Sequence, residues 1–212
     1  GGEPSRLPSL RAFARGATQA GEGLVVAGVC SFAFFRVGKE ALGSEEAFKP
    51  VVSMWFATFA LAPGLFLPLE QELGRAISAR RALGQGGRPV FSKVVALGAG
   101  LTVIAALILF GSGPWLADSY FDGNWIMVLA LVLSIASYAP THISRGICSG
   151  SGRFRAYAVV LGADGLVRIL FCLALAAIGI KAVGWYGIAV AIAPLVGVAA
   201  VAGKGQLRTD PG

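Results

Sequence analysis

Asp164 and Arg168 stand four residues apart inside the apolar run AYAVVLGADGLVRILFCLALAAIGI, which covers Ala156 to Ile180. A run of that length and composition is expected to cross a bilayer as a helix. At about 1.5 Å per residue, Arg168 lies roughly 18 Å from the start of the run, near the midplane, with Asp164 about one turn closer to one surface. A spare ion at that depth costs at least about 2.5 to 3.5 kcal/mol on insertion scales, so the pair is a candidate site. The planar fork of arginine matches phosphate geometry, where lysine would offer a point charge, and the carboxylate would orient it. The competing reading is an i,i+4 pair that lowers the insertion cost and locks helix packing.

Other polar residues invite similar pairs of readings. Gln19 and Glu22, inside the first apolar run, suit a proton or cation site, or an interhelical hydrogen bond. Glu70, Glu72 and Arg75 fall at or beyond the end of the second run; an interfacial helix end with solvated charges is favoured there over a functional contact. Arg145, Arg153 and Arg155 surround a glycine-serine turn and read as topology signals in touch with anionic lipid, Arg145 also as a second candidate for a substrate phosphate. His142, the single histidine, reads as a hydrogen-bonded helix-end residue rather than a proton switch. Gly150-Ser151-Gly152 reads as a turn before a phosphate cradle. Cys30, Cys148 and Cys172 are odd in number and two lie in apolar runs, so packing is expected of them, not a disulfide framework or a metal site.

These residues need apolar helices to place them, and the composition supplies them. With 56% hydrophobic and 14% charged residues in 212, and a mean hydropathy of +0.73, the chain is not an ordinary soluble domain. The net charge of +7 sits between apolar runs, where it orients a chain across a membrane and does not point to nucleic acid. Six spans are expected, at about 16–35, 50–69, 94–115, 125–142, 156–180 and 183–203, giving an all-α polytopic bundle over 16–203 between a polar N-terminal segment, 1–15, and a tail, 204–212. Pro63-Gly64 and Pro68 should kink or loosen the second span, and Pro140 should interrupt the fourth. The chain opens on Gly1, with methionine at 54 and 127, so a processed or partial product is expected.

Of the 18 Lys and Arg residues, 13 fall in the N-terminal segment, the second-to-third and fourth-to-fifth connections, and the tail, so the positive-inside rule puts both termini in the cytoplasm. Trp55, Trp115, Trp125 and Trp185, with Tyr120 and Tyr186, should form an aromatic belt at the opposite surface. On this topology Glu22, Glu70, Glu72 and Asp164 lie toward the inner half of the membrane and could converge on an inward-facing vestibule. Ala189, Ala193 and Gly197 form a small-residue stripe suited to close helix packing.

The segments FLPLEQELGRAISARRALGQGG (Phe66 to Gly87) and RGICSGSGRFRAYAVVLGADGLVRILF (Arg145 to Phe171) resemble the polysaccharide-transporter branch of the multidrug/oligosaccharidyl-lipid/polysaccharide exporter superfamily, whose best-known members are O-antigen-type flippases. The resemblance implies one six-helix lobe of a MATE-like transporter in the cytoplasmic membrane, with a second lobe in the same or another chain across an alternating cleft. It implies an anionic lipid-linked glycan as substrate and no cofactor beyond a coupling proton or sodium ion. Arg168 is the first candidate for the head-group contact and Arg145 the second; within the same resemblance Gln19 and Glu22 would couple transport to a gradient, and Glu70, Glu72 and Arg75 would serve as a gate or a contact between lobes. A cation-coupled multidrug exporter of the same fold and a non-transporting scaffold for polysaccharide assembly are the alternatives. A membrane-embedded glycosyl- or acyltransferase would need a long aqueous loop and a metal-binding or histidine-containing cluster that the sequence lacks, so no enzyme is expected.

Overall fold

The computed structural model describes residues 10–210, with side chains described from residue 16 onward. Expectations for Arg6 and for the side chains of Arg11 and Arg15 lie outside the described residues. In chain order the helices are α1 (Leu10–Leu42), α2 (Glu45–Ala82), α3 (Arg88–Gly111), α4 (Gly113–Tyr120), α5 (Trp125–Gly150), α6 (Phe154–Ala177) and α7 (Val183–Gly203). Six of them, all but the short α4, are long and apolar enough to cross a membrane, and no strand occurs among the described residues. The chain is an all-α, multi-pass membrane architecture.

Local chemistry sets the helix limits. The Ser44 hydroxyl accepts from the Ala47 N–H at 3.1 Å, and the Asn124 side chain accepts from Ile126 at 3.0 Å, capping α2 and α5. Gly84 and Gly152, with φ of +70° and +69°, take the left-handed conformation that stops α2 and α5; Ser151 and Gly152 form the expected turn, while Gly150 closes α5 as its last helical residue.

Several helices overrun their expected ends. The first continues past Phe35 to Leu42, the second past Leu69 to Ala82 and the fourth past His142 to Gly150, because polar residues beyond the apolar stretch still make helical backbone bonds. The third stops at Gly111 rather than Trp115; Pro114, at the second position of α4, starts the next helix there. Pro140 does not interrupt α5, and α2 runs on through Pro63 and Pro68. Each proline removes one backbone donor yet keeps a helical φ, and packing on both sides of α5 holds the helix together.

The strongest packing is pairwise. α1 lies along α6 and α2 along α5, with α7 packed against both α5 and α6, while α3 covers α5 from outside. Glycines allow the close approaches. A Cβ on Gly23 would meet the Ala158 carbonyl oxygen at 2.9 Å, one on Gly165 the Ala27 Cα at 2.9 Å, and one on Gly150 the Gly74 carbonyl oxygen at 2.7 Å. The α7 stripe behaves as expected: Ala189 and Ala193 are buried, and a Cβ on Gly197 would come within 3.0 Å of Ala163. α3 buries little beyond Val94 and Gly98 and presents Leu97, Val103, Ile104, Leu107 and Ile108 outward.

One end of the bundle is basic. There the Arg153 guanidinium donates to the carbonyl oxygens of Gln206 and Arg208, and the Arg88 N–H to that of Asp210 at 3.1 Å, so the tail folds back over the α2–α3 and α5–α6 connections. At the other end Trp115, Trp125 and Trp185 are exposed, as an interfacial belt requires. Tyr186 departs from that pattern, being fully buried, and so does Trp55. The latter stacks on Phe35 and Phe59, with ring centroids 5.1 and 4.4 Å away, and its buried indole N–H has no hydrogen-bond partner among the described residues.

Candidate functional site

The charged residues of the interior form two clusters joined along one face of α5. In the first, the Arg168 Nη2 meets Asp164 Oδ2 at 2.8 Å, one turn apart on α6. The Tyr138 hydroxyl, from α5, donates to the same Oδ2 at 2.7 Å. From α1, the Ser31 hydroxyl oxygen lies 3.4 Å from Arg168 Nη1, and the Phe34 ring sits 5.9 Å from the guanidinium carbon; the Phe59 ring of α2 covers it at 5.5 Å. Arg168 is 1% exposed. The pair is incompletely satisfied: Asp164 Oδ1 and Arg168 Nε, both buried, have no hydrogen-bond partner among the described residues. A buried ion pair with a free donor and a free acceptor holds capacity for a polar guest.

The second cluster is centred on Glu70 of α2, which is 6% exposed. Its Oε2 receives Arg145 Nε at 2.9 Å and Nη2 at 2.5 Å and lies 2.7 Å from His142 Nδ1. Its Oε1 accepts from the Tyr157 hydroxyl of α6 at 3.2 Å, and the Arg145 guanidinium lies 5.9 Å from the Tyr157 ring centroid. Helix approach makes this possible. Gly146 sits where a Cβ would be 2.8 Å from the Glu70 carbonyl oxygen, and Gly146 and Gly150 form a GxxxG pair that lets α2 cross α5 at close range. The Tyr138 and His142 rings, one turn apart and 6.2 Å between centroids, bring the two clusters together.

The expected members are therefore sorted. Asp164, Arg168, Glu70 and Arg145 enter this line of charge, and Glu70 is no solvated helix end. Glu72 and Arg75, grouped with it by sequence, pair with each other at 2.6 Å on the exposed side of α2. His142 is a hydrogen-bonded residue as expected, but it lies within α5 and not at its end. Glu22 and Gln19 do not join the clusters; with Arg155 they line a groove of about 400 Å³ between α1 and α6. Tyr138, Tyr157 and Ser31 belong to the site and were not singled out by sequence. Among the described residues no group of three or more His, Cys, Asp or Glu side chains is placed to hold a metal ion.

The chain is similar to uncharacterized proteins of Mycobacterium bovis and of two strains of Mycobacterium tuberculosis, 27% identical over 185 residues that cover 83% of this chain. It spans 41% of the length of these curated relatives. No protein-family model matches the chain, and no solved structure does.

Proposed function

We propose that the chain is one lobe of a flippase that moves a lipid-linked oligosaccharide or polysaccharide precursor across the cytoplasmic membrane, with both termini in the cytoplasm. The observation that carries this reading is the arginine pair inside the bundle: Arg168 at mid-helix depth in α6 and Arg145 nearer the basic end, each tied to one carboxylate. Two fixed guanidinium groups along one path suit a pyrophosphate that passes from one to the other while its lipid tail stays in the bilayer. Arg168 is covered on the α2 side by Phe59, itself 37% exposed, so the face of α1 and α2 needs little rearrangement to uncover the guanidinium. A second six-helix lobe, in the same or another chain, would meet that face and complete an alternating cleft, a repeat plan in which the site lies at the interface. Transport needs no covalent chemistry.

The test is translocation of lipid-linked oligosaccharide by the full-length protein in liposomes. Movement above that of empty liposomes, lost in Arg168→Met, is the expected result; no movement in the wild type sinks the reading. A proton- or sodium-coupled exporter of drugs on the same fold is favoured by the interior carboxylates Glu70 and Asp164. It would lose flux in Asp164→Asn and keep it in Arg168→Ala. A scaffold for polysaccharide assembly would move nothing in either assay.

A further inference from the structure

The contacts around His142 Nδ1 cannot all be hydrogen bonds in one protonation state. This nitrogen lies 2.7 Å from Glu70 Oε2 and 2.9 Å from Arg145 Nη2. Against a carboxylate oxygen at that distance a proton must stand between the two atoms, because two lone pairs would repel. Against the guanidinium, which only donates, the same nitrogen must present its lone pair. A single ring nitrogen cannot do both. The cluster is therefore poised between an arrangement in which His142 donates to Glu70 and one in which it accepts from Arg145.

Charge balance makes the choice consequential. With a neutral imidazole, Glu70 and Arg145 cancel and the buried cluster has no net charge. One further proton makes it a net cation in a site whose residues Glu70 and His142 are nearly closed to solvent. Among the described residues no other charge offsets it from close by. On α2, Glu72 and Arg75 are occupied with each other at the surface. On α6, Tyr157 donates to Glu70, and Asp164 is taken up with Arg168 and Tyr138. On α5 the neighbour is the Tyr138 ring. α3 brings the exposed Arg88 and Lys93, α1 the exposed Glu22, and α7 Tyr186, whose hydroxyl donates to the Ile180 carbonyl oxygen at 2.9 Å.

We propose that the Glu70–His142 pair is a proton-binding site whose occupancy decides whether Arg145 stays tied to Glu70. A proton from water adds to the second ring nitrogen, Nε2, and no covalent bond of the chain breaks. The resulting imidazolium keeps its Nδ1–H on Glu70, offers Arg145 no lone pair, and repels the guanidinium. Arg145, the most exposed member of the triad at 13%, is the group that yields. Use of the freed Arg145 to hold an anionic head group rests on the flippase reading; the proton site does not.

The experiment is 15N-histidine NMR of the protein in lipid nanodiscs, with the His142 signal identified by its loss in His142→Gln. In the wild type the signal should pass from neutral imidazole to imidazolium as pH falls from about 8 to about 5. Glu70→Gln removes the carboxylate that holds the imidazolium and should displace the transition to lower pH by about one unit or more. Arg145→Gln removes a repelling charge and should displace it to higher pH, as linkage between the proton and the Arg145–Glu70 tie requires. If Glu70→Gln does not fold, Tyr157→Phe removes one donor from the carboxylate and should also move the transition upward. A signal that never changes over this range, or the same transition in wild type and the Glu70 or Tyr157 variant, overturns the site. A transition unmoved in Arg145→Gln overturns its link to Arg145. None of these readings depends on whether oligosaccharide moves.

Discussion

Tyr138 of α5 donates its hydroxyl to Asp164 of α6 at 2.7 Å, so the carboxylate that faces Arg168 is held from two helices. In Tyr138→Phe the ion pair remains and one charge-assisted hydrogen bond is lost, a cost of about 1.5 to 3 kcal/mol. Thermal unfolding of the purified protein should show a lower midpoint than wild type. An equal midpoint would mean that the hydroxyl is not engaged.

Breaking the Asp164–Arg168 pair and replacing it have opposite expected effects. Asp164→Ala strands a buried guanidinium and should destabilise by about 3 to 5 kcal/mol. The double variant Asp164→Leu with Arg168→Met removes both charges and should unfold at or above the wild-type midpoint, since apolar replacement of a buried pair is neutral or stabilising by up to about 4 kcal/mol. Translocation should vanish in both. A double variant that is stable and still transports would assign the pair to packing alone.

The α2–α5 crossing rests on Gly146 and Gly150. Gly150→Val would drive its side chain toward the Gly74 carbonyl oxygen, which lies 2.7 Å from where the Cβ would stand, and should cost at least about 1 to 3 kcal/mol. Gly100→Ala on α3, where nothing lies within 4 Å of such a Cβ, serves as the control. It should match wild type or gain up to about 1 kcal/mol in unfolding free energy, because alanine is the better helix former.

The Glu72–Arg75 pair is exposed, with side chains 55% and 70% open, and is screened by solvent. Glu72→Gln and Arg75→Gln should leave the unfolding midpoint unchanged, while Glu70→Gln lowers it. Equal losses in all three would return Glu70 to the helix surface.

The Asp164–Arg168 contact could be read from sequence because an i,i+4 spacing in a helix places two side chains together without any knowledge of the fold. The same reasoning failed for Glu70. Its partners lie 72 to 87 residues away on two other helices, and hydropathy locates spans without saying which spans touch. One usable signal was present: Gly146 and Gly150 at GxxxG spacing mark α5 as a helix that another approaches closely, and Arg145 and His142 adjoin that surface. The helix ends were misplaced for a different reason. Loss of hydrophobicity marks the edge of a lipid-like region, and α2 and α5 keep their backbone bonds well past it. The belt pattern, read from tryptophan positions alone, could not separate exposed Trp115, Trp125 and Trp185 from Trp55 within its aromatic stack.

Pairing by glycine contacts makes α1 with α6 and α2 with α5 behave as two stiff planks fastened to a shared spine, α7. Across the seam between the planks, contact is far sparser; its interior hydrogen bonds are tyrosine hydroxyls, Tyr138 to Asp164 and Tyr157 back to Glu70, and at the surface Lys39 of α1 pairs with Glu45 of α2 at 3.0 Å. Parting the planks would leave every glycine contact within them intact, and would release the two hydroxyl latches, one at each cluster, and the exposed Lys39–Glu45 pair. The line that carries the buried charge is thus also the line along which the two helix pairs are joined most sparsely.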